Sequence, residues 1–301
     1  MNSSRRSFIK NSSIVLAGTT LLPHNYTVAA GKKEELLGVQ LYSVDKEMHE
    51  DAAGTLKALG KIGYKYVEHA NYTSRKFYGY PPSDFRKLLH DCGLNLLSGH
   101  SVLELKHWNK TTRQFTREWQ HTIEDAVTAG QQFLISPWLD RSLWNDESAL
   151  KHFMDVFNRS GELCNSAALQ FGYHNHDFEF THTFNSLRLY DIILQHTTAH
   201  LVSQQLDIGN IYQKDFSATD LFTQYPGRFQ LMHVKDVIET NERHQQFTSA
   251  AIGEGVLNIK HIINKARQQG GTSCFIIAQD DYGSANIFKC ASNNYYAFNN
   301  I

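Results

Sequence analysis

Leu169-Gln170-Phe171-Gly172-Tyr173-His174-Asn175-His176 is a short run rich in β-formers that follows a long helical pattern and ends in polar side chains. Runs of the same kind recur at 37–44, 64–69, 94–101, 132–139, 200–208, 229–235 and 273–280. Between them the apolar residues take helical spacing, as at Ile259, Ile262, Ile263 and Ala266, which form one face of a helix able to pack on a sheet. Gly60, Gly63, Gly93, Gly130, Gly270 and Gly271 fall near the expected helix ends, where a left-handed residue closes the helix and lets the next strand begin. Strand and helix alternating eight times over about 260 residues predict an α/β protein, a single-domain (β/α)8 or TIM barrel covering residues 35–301. An open doubly wound sheet would want a glycine-rich phosphate loop after an early strand, and Asp45-Lys46-Glu47-Met48-His49-Glu50 contains no glycine.

With 301 residues and 41% hydrophobic content, the chain can bury a sizeable core. The formal charge is −1, and residues 1–30 carry Arg5, Arg6 and Lys10 with no carboxylate, so the remainder is three units more negative. Such a protein is a poor phosphate-backbone binder, and nucleic acid is not expected as a partner. Cys92, Cys164, Cys274 and Cys290 form no CxxC pair, which argues against a zinc knuckle or a dithiol redox site. They read as small buried hydrophobes, Cys92 and Cys164 lying on apolar helix stripes. The sequence specifies no disulfide pairing.

Residues Ser4-Arg5-Arg6-Ser7-Phe8-Ile9-Lys10 precede a short apolar run from Ile14 to Leu22 and then Val28-Ala29-Ala30. That order predicts a cleaved signal peptide over residues 1–30. It resembles the twin-arginine export signal, which implies a periplasmic protein exported already folded. The apolar run is too short for a permanent span, and no Cys follows it, so no membrane or lipid anchor is expected.

Chemistry in a TIM barrel sits at the carboxyl ends of the strands, and here those ends are unusually polar. They read Glu68-His69, His100, His174-Asn175-His176, Asp207, His233 with Lys235, and Asp280. Imidazoles and carboxylates converging on one rim are the usual shell of a divalent ion. Residues two apart share a face, so His174 pairs with His176 and His233 with Lys235, without deciding which of the two histidines is the ligand.

The segments Phe171-Gly172-Tyr173-His174-Asn175-His176-Asp177-Phe178-Glu179-Phe180, Gln205-Leu206-Asp207-Ile208-Gly209-Asn210, His233-Val234-Lys235-Asp236 and Gly253-Glu254-Gly255 resemble, in order and spacing, the sugar phosphate isomerase/epimerase family with its xylose isomerase-like barrel. Gly38-Val39-Gln40-Leu41-Tyr42-Ser43 and Tyr66-Val67-Glu68 are similar to it as well. The resemblance implies one divalent metal ion, Mn, Zn, Co or Mg, held by Asp207, His233 and His174 or His176. It also implies a strand-eight glutamate where this chain has Ala278. Either Asp280, two residues on, supplies that carboxylate, or the site is altered.

The activity implied is sugar isomerisation or epimerisation by proton removal beside a carbonyl. Glu179, Asp280 and Lys235 are the candidate catalytic groups, and Glu68, His100, Asn210 and Trp138 the candidate substrate contacts. Each has a plain alternative, Lys235 as an ion-pair partner of Asp236 among them. Phe77-Tyr78-Gly79-Tyr80 is either a sugar-facing rim or loop packing. Two other functions fit the same residues: a lyase or hydratase acting on 3-keto-glycosides or keto-sugars, and a non-catalytic sugar-binding barrel. The expected partner is a small sugar or glycoside, with a homo-oligomer left open.

Overall fold

The computed structural model describes residues 35–212, 216–242 and 245–301; the export segment predicted over residues 1–30 lies outside them. Eight parallel strands close into a barrel: β1 (Leu36–Gln40), β2 (Tyr66–His69), β3 (Asn95–His100), β4 (Phe133–Ser136), β5 (Gln170–His174), β6 (Val202–Asp207), β7 (Leu231–Val234) and β8 (Cys274–Ile277). Each pairs with its neighbours in sequence, and β8 returns to β1 through Leu36↔Cys274 and Val39↔Ile277. Helices α1 (Asp45–Ile62), α2 (Pro82–Asp91), α3 (Arg117–Ala129), α4 (Glu147–Ser166), α5 (Leu189–His196), α6 (Ala218–Gln224), α7 (Ile259–Lys265) and α8 (Ile287–Asn299) follow the strands in turn.

All eight predicted strands are present, each shorter than its β-rich run. Residues 41–44 turn into a 3-10 helix, Leu41–Val44, because the Gln40 side chain accepts the Tyr42 amide and ends the ladder. Gly130 takes the left-handed conformation (φ 84°) predicted at the end of α3. Gly60 instead lies inside α1, where a Cβ would stand 2.2 Å from the Cys92 carbonyl oxygen; its role is close helix approach. Cys164 and Cys274 are buried, and Cys92 and Cys290 half-buried.

Alternation along the strands divides the interior in two. Outward side chains pack beneath the helices as one large core, in which the fully buried Trp119 of α3 donates to Ser160 Oγ of α4 at 3.1 Å. Inward side chains Leu97, Ile135, Leu231, Cys274 and Ile276, with Tyr66 and Phe133, plug the lower barrel. Two residues further along the same faces, Tyr66 gives way to Glu68 and Leu231 to His233. The barrel therefore changes from dry to polar at its carboxyl end.

That end carries four small antiparallel hairpins, following β2 (Tyr72–Thr73 with Lys76–Phe77), β3 (Trp108–Asn109 with Gln114–Phe115), β5 (Thr183–Phe184 with Leu187–Arg188) and β7 (Asp236–Glu242 with Gln245–Ala250). No helix among the described residues is long and apolar enough to cross a membrane.

Candidate active site and metal centre

Glu68, the last inward residue of β2, is fully enclosed and receives hydrogen bonds from both sides. Gln40 Nε2 donates to its Oε1 at 2.5 Å, Ser98 Oγ to its Oε2 at 2.5 Å, and Gln205 Nε2 to Oε2 at 2.6 Å. His233 Nε2 lies 2.6 Å and His100 Nε2 3.1 Å from Oε1. Burial works against the charge of this carboxyl, but His100 and His233 outweigh it and hold the group well below the usual carboxylate range. With every lone pair engaged by protein, Glu68 is a floor for the histidines and is not available to a substrate; the expected substrate contact is corrected here.

Above that floor, His100, His174 and His233 each present a ring nitrogen, and the three atoms lie within 4.8 Å of one another. Burial, followed by His233 and His100, pushes His174 well below the usual imidazole range, so it is neutral near pH 7. Burial would do the same to His233, yet Glu68 and Asp207 raise it to about 9. Asp207 ends β6 and caps the short helix Ile208–Ile211 by accepting the Asn210 amide at 2.9 Å through Oδ1. Its Oδ2 is left facing His233 Nδ1 at 3.6 Å, too long for a hydrogen bond, and Lys235 Nζ at 3.2 Å. Asn175, between the two histidines of β5, points away to receive the Asp207 backbone amide at 2.9 Å, tying β5 to β6.

Lys235 reaches from β7 to Asp280 (2.6 Å), Asp207 (3.2 Å) and Asn210 Oδ1 (3.4 Å). Its stem crosses Gly209, where a Cβ would come within 2.5 Å of Lys235 Cδ, so the glycine of Asp207-Ile208-Gly209-Asn210 makes room for the lysine. Burial disfavours the ammonium, but Asp207 and Asp280 overcome that and raise it above the usual lysine range. The partners of Lys235 are thus Asp207 and Asp280, not Asp236. Asp236 is buried on the other side, receiving the amides of Val237, Gly253, Gly255 and Leu257 at 2.9–3.2 Å. The Gly253-Glu254-Gly255 motif is accordingly a loop clamp: a Cβ on Gly255 would sit 2.1 Å from Asp236 Oδ1.

A cavity of about 910 Å3 opens over this cluster, lined by His100, His174, His176, Asp207, His233, Lys235, Asn210, Trp138, Ala278 and Asp280, and extending to Tyr42, Arg75 and Glu104. Two expectations change. His176 lines the cavity in edge contact with His174 (ring centroids 5.1 Å apart) and Trp138 (5.0 Å) but is not among the three clustered ring nitrogens; its buried Nδ1 has no partner, and burial, with Asp207 opposing, lowers its pKa to about 4. Glu179 is outside the cavity altogether, fully buried while accepting from the Tyr173 hydroxyl and, at 2.8 Å, from the His176 amide. Facing the outer core, it cannot reach a substrate. Asp280 lies on the cavity wall beside Ala278, bound to Lys235 and not among the clustered ligand atoms. Phe77 is buried and stacks on Phe85 (5.5 Å), the loop-packing alternative for that aromatic segment.

The sequence model of the xylose isomerase-like TIM barrel family matches residues 56–287. The chain belongs to that family. Curated protein sequences give no match. This xylose isomerase-like barrel is similar in structure to a sugar phosphate isomerase/epimerase from Parabacteroides distasonis, with a TM-score of 0.73 at 23% identity over 91% of this chain and 97% of the other. It is also similar to the IOLI protein with a binding zinc atom (TM-score 0.68, 11% identity, 88% and 97% covered). A D-psicose 3-epimerase in the presence of D-fructose gives 0.63 at 14% identity, with 88% and 97% covered. In this xylose isomerase-like barrel the three-ring cluster takes its third imidazole from β3, as His100. Gln205, given no role by the sequence, binds two of the three rings, His100 at 2.9 Å and His174 at 3.0 Å. Alternation back from Asp207 would have placed it on the same inward face.

Proposed function

We propose that this chain is a divalent-metal-dependent isomerase or epimerase that moves a carbon-bound proton beside the carbonyl of a sugar. The observation that carries the reading is the anchoring of His100, His174 and His233 from beneath by Glu68 and Gln205. His100 and His174 each commit one nitrogen to Gln205, and His233 commits Nε2 to Glu68 with Nδ1 facing Asp207, the arrangement of metal-ligating histidines braced by carboxylate and amide partners. Those three rings with Asp207 would hold the ion. When bound, it supplies Lewis-acid stabilisation of negative charge on adjacent sugar oxygens.

The chain's own groups supply the rest. Asp280, whose side chain is 44% exposed, accepts the proton at the cavity wall, and Lys235 keeps that carboxylate oriented. Neutral His176, with an unpartnered Nδ1, is a second proton carrier across the cavity. Trp138 and the exposed Tyr42 offer faces to the sugar ring. The cationic side chains of the lining, Lys235 and Arg75, are both engaged by carboxylates, Arg75 by Asp125 at 2.6 Å, which favours an unphosphorylated sugar or glycoside. That preference agrees with export to the periplasm.

A second reading, as a lyase or hydratase on a keto-glycoside, is favoured by one observation. Ala278 leaves strand eight with Asp280 as its one cavity-lining carboxylate, and elimination beside a carbonyl needs a single carbon base plus an acid for the leaving group. The test is elemental analysis of the metal-replete protein together with proton NMR of ketoses and keto-glycosides in D2O. About one divalent ion per chain, lost in His174→Ala, with solvent deuterium entering beside the carbonyl and stopped by chelation, is the expected result. A protein that holds no metal and exchanges no proton, while still binding sugar, would be a binding barrel.

A further inference from the structure

Gln205 is fully buried, and its hydrogen bonds admit one arrangement of protons. Gln205 Nε2 donates to Glu68 Oε2 at 2.6 Å, beside the donors Gln40 Nε2 and Ser98 Oγ that converge on the same carboxyl. The Gln205 carbonyl oxygen then faces His100 Nε2 at 2.9 Å and His174 Nδ1 at 3.0 Å. An amide oxygen accepts only, so both ring nitrogens carry hydrogen. In the neutral rings the lone pairs are consequently at His100 Nδ1 and His174 Nε2. Glu68 imposes the same logic on His233, whose Nε2 must donate, leaving Nδ1 toward Asp207.

We propose that Gln205 is a positioning residue that fixes the tautomers of His100 and His174, presetting three imidazoles and Asp207 as a nitrogen-rich receptor for a zinc-like ion in preference to magnesium. Imidazole donors suit zinc and its neighbours, whereas magnesium favours an all-oxygen shell. Glu68 cannot restore oxygen character, since all its lone pairs are taken. The ion preference rests on the metal reading given above; the tautomer assignment does not.

The test uses the metal-free protein labelled with 15N-histidine. Long-range 1H–15N spectra of the wild type should show His174 protonated at Nδ1 and His100 at Nε2. Gln205→Met, close in length but without the acceptor, should let both rings redistribute and should weaken zinc binding by ~10–100-fold in a chelator competition. Gln205→Glu, which keeps an acceptor toward the rings and can donate to Glu68 when protonated, should retain both tautomers, and keeps the comparison available if the methionine variant does not fold. Unchanged tautomers in folded Gln205→Met, or lost tautomers in Gln205→Glu, would overturn the positioning role. Equal affinity for magnesium and zinc would overturn the ion preference. Tautomers that respond as expected in a protein binding no zinc would remove the metal reading and leave the assignment of Gln205 standing.

Discussion

Glu179 illustrates how one residue can carry the chemistry of a catalytic acid and the position of a structural one. Burial pushes its carboxyl up to about 8, against the hydrogen bonds from Tyr173 and the His176 amide. Between pH 4.5 and about 8 the folded chain therefore keeps a proton that the unfolded chain has released. Stability from this group is complete below the unfolded value and falls as pH rises through that window. Glu179→Gln should show a flatter urea midpoint against pH than the wild type; parallel profiles would refute the shift. The sequence placed Glu179 beside the histidines correctly along the chain, but periodicity does not say which side chain turns outward once β5 ends at His174 and a helical turn begins at Phe178. Asp207 and His233 were legible as polar strand ends and through the family resemblance, whereas strand alternation paired His174 with His176 without choosing between them. His100 was legible as a polar strand end but not as a partner of His174, since that contact spans the barrel.

At the scale of elements, the eight strands and their helices follow from alternating periodicities, whereas the four rim hairpins do not. Three have strands of two residues, too short for any period to register, and the fourth is built largely of polar residues from Asp236 to Ala250. Asp236 binds the last of these to the barrel by receiving four backbone amides. Asp236→Ala would leave those donors without their acceptor and should cost about 3 kcal/mol, read from urea unfolding, because hydrogen bonds to a buried charge are among the stronger ones. Asp236→Asn, which keeps one oxygen, should cost less. A variant as stable as the wild type would mean that the loop is held by its packing alone.

For the molecule as a whole, the sequence carries a barrel, and we propose that the segment before it is an export signal. The twin-arginine segment is a proposal about destination, argued from the order of Arg5-Arg6, the apolar run and the small residues before the barrel. Replacing both arginines by lysine should keep the protein in the cytoplasm, as read by fractionation and immunoblot, without altering its fold as read by circular dichroism. Equal export of the double variant would sink the assignment. Charge points the same way as the cavity: a mildly acidic chain with its lining cations neutralised suits a small neutral ligand better than a polyanion.

The rim hairpins separate two kinds of inheritance. Each closes on itself through its own ladder, while the barrel strands pair only with one another and the histidines and carboxylates of the floor stand on those strands. Lengthening, trimming or exchanging the hairpins after β2, β3 and β5 would reshape the mouth of the cavity and leave the floor beneath it in place, whereas the hairpin after β7 also holds Asp280, whose backbone amide donates to Ser249 Oγ at 2.9 Å. A lineage built on this plan can acquire new ligands by editing its brim while the floor beneath stays fixed, and libraries of the first three hairpins grafted onto one barrel would select chiefly for recognition.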